Sequence, residues 1–511
     1  MIKKSIFTQV FTQVFQRLFL SIILISVISV CYASAPKREF RGAWIQAVNC
    51  QFQGIPAKVL KQTLSDQLDS LASCGINAIL FQVRVEGDAL YKSEIEPWSR
   101  YLTGEQGKTP DEDWDPLSFM VEQCHNRGME IHAWINPFRA KTKPTTKISP
   151  LHQYKQHPDR FIKYGDMVLF NPALKVNRDF ICGVAADIVN RYNIDGLHID
   201  DYFYPYPEDG INFNDDAYFR SDSRSFKSKA DWRRDNVNRF IEELHDTIKS
   251  IKPWVKFGIS PFGIYRNQSA EYPEGSVSNG LENYSGLYAD ILYWIEQGWM
   301  DYCIPQVYWN VGNKVADYEI LTRWWAEHAG DCPMYIGQDV ERTIAGTDPT
   351  PGSNDHQERY KMNLQRSLEG LQGSCQWPAK SVVDNVEDYR TILKNEYYNY
   401  PSLQPISPTL PQDIPGKVRK IMYLETADGP VLFWTAPKCK SEIDRADKYV
   451  VYRFKKSEKI DIEDPSKIVG IINQSFFSLP EAEKKSTYIY VVTALSRVQV
   501  ESQPVKCKVK L

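Results

Sequence analysis

Strand-like and helix-like segments alternate along most of this chain, and this alternation constrains the fold more than any other feature. Short β-branched and aromatic runs are followed by longer amphipathic runs, several of which end at a glycine. The predicted strands are Phe40–Val48, Asn77–Arg84, Glu130–Pro137, Gly196–Tyr202, Lys256–Gly263, Asp301–Trp309, Met334–Val340 and Gly373–Trp377. The predicted helices are Val59–Cys74, Pro116–Arg127, Lys175–Tyr192, Trp232–Ile251, Gly286–Gln297, Tyr318–His328, His356–Leu371 and Val386–Tyr397.

Eight strand–helix units in succession predict an α/β fold, a (β/α)8 TIM barrel over residues 37–400. A doubly wound open sheet is the alternative, and it is disfavoured because no GxGxxG motif follows the first strand. Two long inserts, Val85–Asp115 and Pro205–Ala230, follow strands 2 and 4. TIM barrels build their active sites at this end of the strands, so the inserts are candidates for the walls of a groove.

The two ends of the chain differ in character from the barrel. Residues 1–33 combine early lysines, an apolar run at Leu18–Val30 and small residues near Ala33, which predicts a signal peptide and export to the periplasm or cell envelope. Cys31 leaves an outer-membrane lipoprotein as an alternative. No later apolar run is long enough to span a bilayer, so no transmembrane domain is expected after signal removal. Residues 401–415 are a proline-rich linker, and 416–511 predict a small all-β, fibronectin type III-like sandwich.

Charge and cysteine content exclude some classes of function. The chain has 61 basic and 64 acidic residues and no Lys/Arg run, so no nucleic-acid partner is expected. Its ten cysteines are scattered without a CxxC motif or a Cys/His cluster, so no structural zinc site is expected. No cofactor is predicted, and the oligomeric state stays open.

Side-chain alternation along the predicted strands points polar groups into the barrel. Leu197 and Ile199 form the apolar outer face of strand 4, so His198 and Asp200 point inward. The same reasoning directs these side chains inward from the other strands: Trp44, Gln46, Gln82, Arg84, Glu86, His132, Trp134, Asn136, Gln306 and Tyr308. Burying them unpaired would cost ~1–3 kcal/mol each. A polar ligand site is therefore expected where five strands end.

Aromatic residues at the same end favour a carbohydrate ligand, whose ring offers hydroxyls at its edge and C–H groups on its faces. Tyr202, Tyr204 and Trp309 add to the inward Trp44, Trp134 and Tyr308. Glycoside hydrolysis needs two carboxyl groups. We expect Asp200 to be the nucleophile or base and Asp201 or Asp88 to be the acid, with Asp339 as a weaker candidate.

Two alternatives to a glycosidase stay open from the residues alone. A non-catalytic carbohydrate-binding protein would keep the groove and lack a working acid. A metal-dependent hydrolase would use His132, His198 and Asp200 as ligands, but no HxH motif ends strand 1 and no HExxH motif occurs.

A set of motifs, in order, resembles the bacterial glycosyl hydrolase-like 10 family, formerly a domain of unknown function. The motifs are Arg41-Gly42-Ala43-Trp44-Ile45, Phe81-Gln82-Val83-Arg84, Gly87-Asp88-Ala89-Leu90-Tyr91, His132-Ala133-Trp134-Ile135-Asn136-Pro137, Asp195-Gly196-Leu197-His198-Ile199-Asp200-Asp201-Tyr202-Phe203-Tyr204-Pro205, Gly258-Ile259-Ser260-Pro261-Phe262-Gly263 and Pro305-Gln306-Val307-Tyr308-Trp309. The resemblance covers roughly residues 37–400 and adds Tyr91 to the expected substrate-binding residues.

The resemblance implies an exported TIM-barrel protein that acts on glycans, often with a fibronectin-type C-terminal domain. A similar enterobacterial member is an outer-membrane lipoprotein that cleaves peptidoglycan glycan strands lacking stem peptides. Two departures from the family pattern bear on strand 2. Val85 stands where the family usually has proline, and Glu86 occupies a variable position, so Asp88 is the preferred strand-2 carboxylate. The expected function is hydrolysis of a cell-envelope glycan, with a polysaccharide as the partner.

Overall fold

The computed structural model of this protein describes residues 35–479 and 486–510. The predicted signal peptide, with Cys31, lies outside the described residues. From Lys37 onward the chain forms one compact unit. Within the described ranges, every helix is too short or too polar to cross a bilayer.

Eight parallel strands close into a barrel in their order along the chain, and the last pairs with the first, with Phe40 opposite Gly373. The strands are β1 (Phe40–Ile45), β2 (Ala78–Arg84), β3 (Glu130–Ile135), β4 (Gly196–Ile199), β5 (Lys256–Ile259), β6 (Tyr302–Cys303), β7 (Met334–Asp339) and β8 (Leu371–Trp377). Every one of them falls on a predicted strand, and the TIM-barrel prediction is confirmed.

Helices surround the barrel in the expected positions for most units. They are α1 (Ala57–Ser73), α2 (Pro116–Asn126), α3 (Lys175–Arg191), α4 (Lys229–Ile251), α5 (Ile291–Glu296), α6 (Tyr318–Glu327) and α7 (Glu358–Ser367). Two of the helix predictions were wrong. α5 is half the expected length because Gly286 lies in a separate π-turn. The helix expected at 386–397 is broken into short turns because Glu387 and Asp388 take a left-handed conformation.

The inward and outward sets follow the predicted alternation. Leu197 and Ile199 pack with the surrounding helices. Trp44 and Trp134 belong instead to a separate interior cluster with Leu80. The interior of the barrel is thus filled with side chains, and those at the carboxyl ends of the strands are polar and aromatic.

Gly258 on β5 allows the close approach of a neighbouring aromatic ring, and we expect Gly258→Ala to destabilise the protein. A Cβ atom there would lie 1.8 Å from the Tyr302 ring, which is enclosed inside the barrel. Overpacking of this kind costs about 3 kcal/mol. Gly183 in α3 is the control, because a Cβ there meets nothing within 4 Å. Gly183→Ala should stabilise by about 0.5–1 kcal/mol. Urea unfolding of both variants checks the pair, and equal midpoints would contradict the expectation.

Besides the predicted inserts after β2 and β4, other long segments leave the carboxyl ends of the strands. Residues 260–290 follow β5, and residues 138–174 follow β3 and carry a small antiparallel sheet. Its strands are Arg139–Lys141, Phe161–Tyr164 and Met167–Phe170. The insert after β3 could not be predicted because its strands are short and only partly apolar.

The C-terminal part is all β, as predicted, and consists of two antiparallel sheets. One contains β9 (Arg419–Thr426), β10 (Gly429–Thr435) and β13 (Phe476–Ser478), and the other contains β11 (Ala446–Lys455), β12 (Ile468–Ile472), β14 (Thr487–Ser496) and β15 (Val505–Lys510). Trp434 of the first sheet packs against Tyr449 of the second, so the two faces share a core. The fibronectin type III likeness and the domain boundaries stay predictions.

The β-sandwich covers the amino-terminal end of the barrel. Gln499 donates a 2.9 Å hydrogen bond to Glu130 at the start of β3. Arg497 donates a 2.6 Å hydrogen bond to Asn193, just before β4. The opposite end of the barrel, where β4 delivers its paired aspartates, is left to the inserts.

Candidate active site

A small cavity of about 270 Å³ lies at the carboxyl ends of the barrel strands. Among the described residues that line it, the carboxylates are Asp200 and Asp201, which directly follow β4. The lining residues are Trp44, Val48, Trp134, Arg139, Asp200, Asp201, Tyr202, Tyr206, Ser260, Gln306, Tyr308 and Trp377. Two carboxyl groups therefore meet aromatic and hydrogen-bonding side chains in one enclosed space.

Asp200 is held as a buried carboxylate by β3. Its Oδ2 accepts a hydrogen bond from the Asn136 side chain, whose own oxygen accepts one from Gln82 at 2.6 Å. The Oδ1 atom is buried and makes no hydrogen bond. Burial raises the pKa of Asp200 above its ordinary value, while the Arg139 charge and the Asn136 hydrogen bond act against that rise.

Asp201 is the better proton donor of the two. Its Oδ2 accepts a hydrogen bond from the Tyr206 hydroxyl, and its Oδ1 is buried without a partner. Burial, and then the charge of Asp200, raise the pKa of Asp201 to about 7. Two neighbouring carboxyls cannot both ionise cheaply, so one keeps its proton near neutral pH.

Arg139 supplies the one cationic side chain among the residues that line this cavity. Its guanidinium lies 3.3 Å from the centre of the Tyr202 ring, and Tyr202 stacks on Tyr206 at 5.1 Å. The arginine charge favours ionisation of both aspartates. This stack therefore holds a positive charge beside the pair without forming a direct salt bridge to either carboxylate.

Aromatic rings form the opposite wall of the cavity. Trp44 meets both Tyr308 and Trp377 edge-to-face at 6.4 Å, and Trp377 meets Trp134 at 6.1 Å. Gln306 fixes its amide by donating to the Ser260 carbonyl at 2.9 Å. The wall is apolar with polar edges, which suits the faces and hydroxyls of a sugar ring.

The predicted residues of strand 2 and its insert do not reach this cavity. Arg84 is fully buried in a two-bond ion pair with Glu96, at 2.7 and 2.8 Å. Glu86 is held by Arg100 at 2.7 Å. Asp88 accepts from Gln106 at 3.0 Å, and burial, followed by the Glu86 charge, raises its pKa to about 6.

Other predicted site residues also lie away from the cavity lining. Tyr91 packs edge-to-face on Tyr192, Tyr204 accepts a hydrogen bond from Asn236, and Trp309 packs on Phe262. Asp339 caps a short helix, Val340–Ala345, by accepting the Arg342 N–H at 2.9 Å. These four residues pack around the barrel and do not line the cavity.

The two predicted histidines belong to a hydrogen-bond chain inside the barrel. His132 contacts Glu130 at 3.0 Å and the Tyr302 hydroxyl at 2.6 Å. His198 contacts the same hydroxyl at 3.1 Å and the Ser260 hydroxyl at 2.9 Å. The described residues contain no group of three or more His, Cys, Asp or Glu side chains arranged to hold a metal.

Four polar or aromatic residues of the cavity were missed by the sequence analysis. Ser260 lies within predicted strand 5 and Trp377 ends predicted strand 8, so the alternation used for the other strands could have found them. Tyr206 lies in the insert after β4, and Arg139 arrives on the unpredicted sheet after β3. No sequence pattern signalled these two.

A larger cavity, of about 530 Å³, lies at the other end of the barrel against the β-sandwich. It is bordered by the segment around Gly128 and by Lys448 and Gln499, and no carboxylate lines it. Size therefore does not identify the reactive site in this protein. The smaller cavity is the candidate active site because it holds the acid groups.

Comparisons with known proteins find a family model and relatives that match most of the chain. The glycosyl hydrolase-like 10 family model matches residues 39–348. Glycosyl hydrolase YngK of Bacillus subtilis (strain 168) is 36% identical over 479 residues, covering 92% of this chain and 93% of that protein. Glycosyl hydrolase DigH of Escherichia coli (strain K12) is 41% identical over 293 residues, covering 55% of this chain and 66% of DigH.

Proposed function

The chain belongs to the glycosyl hydrolase-like 10 family and is a glycoside hydrolase, and we propose that its substrate is the glycan strand of peptidoglycan. We place its action outside the cytoplasm, in the periplasm or cell envelope. The signal-like pattern of residues 1–33 and the family resemblance support that location and that substrate. The observation that carries the reaction is the Asp200–Asp201 pair in an aromatic cavity.

Asp201 acts as the general acid in this proposal. Its proton is held near neutral pH because burial and the Asp200 charge raise its pKa to about 7. The carboxyl gives that proton to the glycosidic oxygen as the C–O bond breaks. A carboxylic acid with a pKa near the working pH is the efficient donor for this step.

Asp200 stays ionised while Asp201 carries the proton. Asn136 and the nearby Arg139 charge stabilise its negative form. A carboxylate here stabilises the positive charge that develops on the sugar ring at the transition state. The aromatic wall of Trp44, Tyr308 and Trp377 excludes water and holds the ring.

Release of saccharides from purified peptidoglycan tests the proposal. The protein and its Asp200→Ala variant are incubated with intact peptidoglycan and with strands whose stem peptides have been removed. We expect soluble saccharides from the wild type alone. Release by both proteins would contradict the role of Asp200. Pull-down by both without any release would favour a non-catalytic glycan-binding protein.

Removing the Tyr206 hydroxyl should shift the alkaline limb of the pH profile to higher pH. The Tyr206 hydrogen bond favours the ionised form of Asp201, and so lowers its pKa. Without it the acid keeps its proton to higher pH, by roughly one unit. The wild-type rate should fall as pH rises through about 7. kcat/KM profiles of Tyr206→Phe check this.

Tyr204→Phe is the matched control for this experiment. The Tyr204 hydroxyl accepts from Asn236 and does not line the cavity. Its loss should leave the alkaline limb in place. A shift of the Tyr206→Phe limb to lower pH would contradict the assignment of Asp201 as the acid.

A further inference from the structure

Both carboxylates among the described residues that line the cavity come from one strand end, and no third carboxylate in that lining faces them. Asp200 and Asp201 are consecutive residues after β4, so both reach the cavity from the same strand end. A protein carboxylate that attacks the sugar lies about 5–5.5 Å from the acid in retaining enzymes, and one that activates water lies about 6.5–9.5 Å from it in inverting enzymes.

The other acidic residues near the barrel mouth are already committed elsewhere. Asp88 is fully buried and bonded to Gln106 and to the Glu86 N–H. The Glu86 carboxylate is held by Arg100 and by the Thr142 N–H at 2.8 Å. Asp339 caps a helix. None of them lines the cavity.

The Asp200 carboxylate lines the cavity and can accept from a ligand. Its Oδ2 is bonded to Asn136, and Oδ1 has no well-formed hydrogen bond, although the Trp134 indole and the Tyr202 N–H favour its ionised form. A buried, unbonded carboxylate oxygen is costly unless a ligand donates to it. An amide N–H is such a donor.

The aromatic wall complements the rest of an acetamido group. Trp44, Tyr308 and Trp377 meet edge-to-face, which leaves ring faces and edges for an apolar methyl. An amide whose N–H meets Asp200 would place its methyl toward these rings. A sugar with a plain hydroxyl at C2 could donate to Asp200 but would leave this apolar surface unmatched.

We infer that the sugar cleaved in this cavity carries a 2-acetamido group, that this group is the nucleophile, and that Asp200 positions it. The inference rests on the proposed function and specifies its substrate class. The acetamido carbonyl oxygen bonds to the anomeric carbon, the bond to the leaving oxygen breaks, and Asp201 gives that oxygen its proton. Asp200 hydrogen-bonds the amide N–H, whose nitrogen gains positive charge in the oxazolinium ring.

The second step returns every group to its starting state. Asp201, now ionised, takes a proton from water as the water oxygen bonds to the anomeric carbon. The bond between that carbon and the amide oxygen breaks, and the acetamido group re-forms. The products are a reducing 2-acetamido sugar with retained configuration and the released chain end, and no co-reactant besides water is consumed.

Two series of probes test the inference. Aryl 2-acetamido-glycosides bearing zero to three fluorines on the acetyl group report on the nucleophile, because fluorine weakens its carbonyl oxygen. The thiazolines of N-acetylglucosamine and N-acetylmuramic acid mimic the bicyclic intermediate. We expect rates to fall with each fluorine, and one thiazoline to bind at least about a hundredfold more tightly than its parent sugar.

Three variants assign the roles. Asp200→Asn should lose the tight thiazoline binding, Asp201→Asn should keep most of it, and Asp339→Asn, which preserves the helix cap, should match the wild type in both rate and binding. Circular dichroism shows whether each variant is folded. A purely structural role for Asp200 would not separate it from Asp201 in thiazoline affinity.

Denuded peptidoglycan strands, before and after chemical N-deacetylation, complete the test. Cleavage of both forms, rates indifferent to fluorination, a covalent sugar ester on Asp200, or inactivity of Asp339→Asn would overturn the inference and leave the glycosidase intact. No cleavage of acetylated strands, combined with steep fluorine dependence on the aryl glycosides, would remove peptidoglycan as substrate and support the inference.

Discussion

Asp201→Asn is expected to lower the turnover of a natural glycan by about a thousandfold, within the range of ~10²–10⁴ that a general acid contributes. The amide keeps the size of the side chain and can still contact Tyr206, but it has no acidic proton for the leaving oxygen. Binding of the glycan should change little. Reducing-end release and equilibrium binding, measured on the same preparations, separate the two effects.

A substrate with an activated leaving group provides the internal check on this result. A nitrophenolate leaves without protonation, so Asp201→Asn should retain most of its kcat/KM on such a glycoside, because kcat/KM reports only the steps up to aglycone release, whereas Asp200→Asn should lose it on both substrates. Asp209, an exposed carboxylate in the insert after β4, provides the control, and Asp209→Asn should behave as the wild type. Equal losses on both substrates for Asp201→Asn would contradict its role as the acid.

Glu96→Leu is expected to destabilise the fold by about 3–5 kcal/mol, the cost of leaving a buried charge without its partner. Arg84 and Glu96 form two hydrogen bonds, and their side chains are 0% and 1% exposed. The pair fastens the insert after β2 to the barrel. Urea unfolding followed by tryptophan fluorescence measures the loss.

The double variant Glu96→Leu with Arg84→Met should be more stable than Glu96→Leu alone, because it removes the unpaired charge. Asp179→Leu breaks the exposed pair with Lys175, whose side chains are 71% and 54% exposed, and should cost less than about 1 kcal/mol. A double variant less stable than the single one would show that Arg84 matters more for its other contacts than for this pair.

Regular periodicity made most of the barrel predictable. A strand has a side-chain period of two, and each barrel strand packs helices on one side and the interior on the other. The apolar pair Leu197 and Ile199 was therefore enough to place His198 and Asp200 inward. The same rule reaches Trp377 at the end of β8 and, extended one residue beyond β5, Ser260.

Contacts between loops follow no such period, so the sequence could not predict which loop residues meet. Asp88 is enclosed because Gln106, eighteen residues later, folds back onto it. Arg139 reaches the cavity because a short insert sheet carries it there. Which loop residues meet depends on packing among inserts, which no local pattern encodes. The roles of individual site residues stay predictions until the variants above are measured.

The hydrogen-bond chain through the barrel has a fixed polarity. Although burial opposes it, the Lys256 charge and the His132 hydrogen bond lower the pKa of Glu130, so its ionised carboxylate only accepts. A neutral His132 that donates to Glu130 through Nε2 accepts from the Tyr302 hydroxyl through Nδ1, and that hydroxyl in turn accepts from His198.

The last link runs the same way, so His198 accepts the Ser260 proton. The Glu130 charge lies at the amino-terminal end of the barrel, where it also contacts the β-sandwich through Gln499. It therefore sets the direction of the Ser260 hydroxyl hydrogen at the other end of the barrel. With this polarity, we expect Ser260 to meet a bound sugar as a hydrogen-bond acceptor and to favour a sugar that points a donor at it.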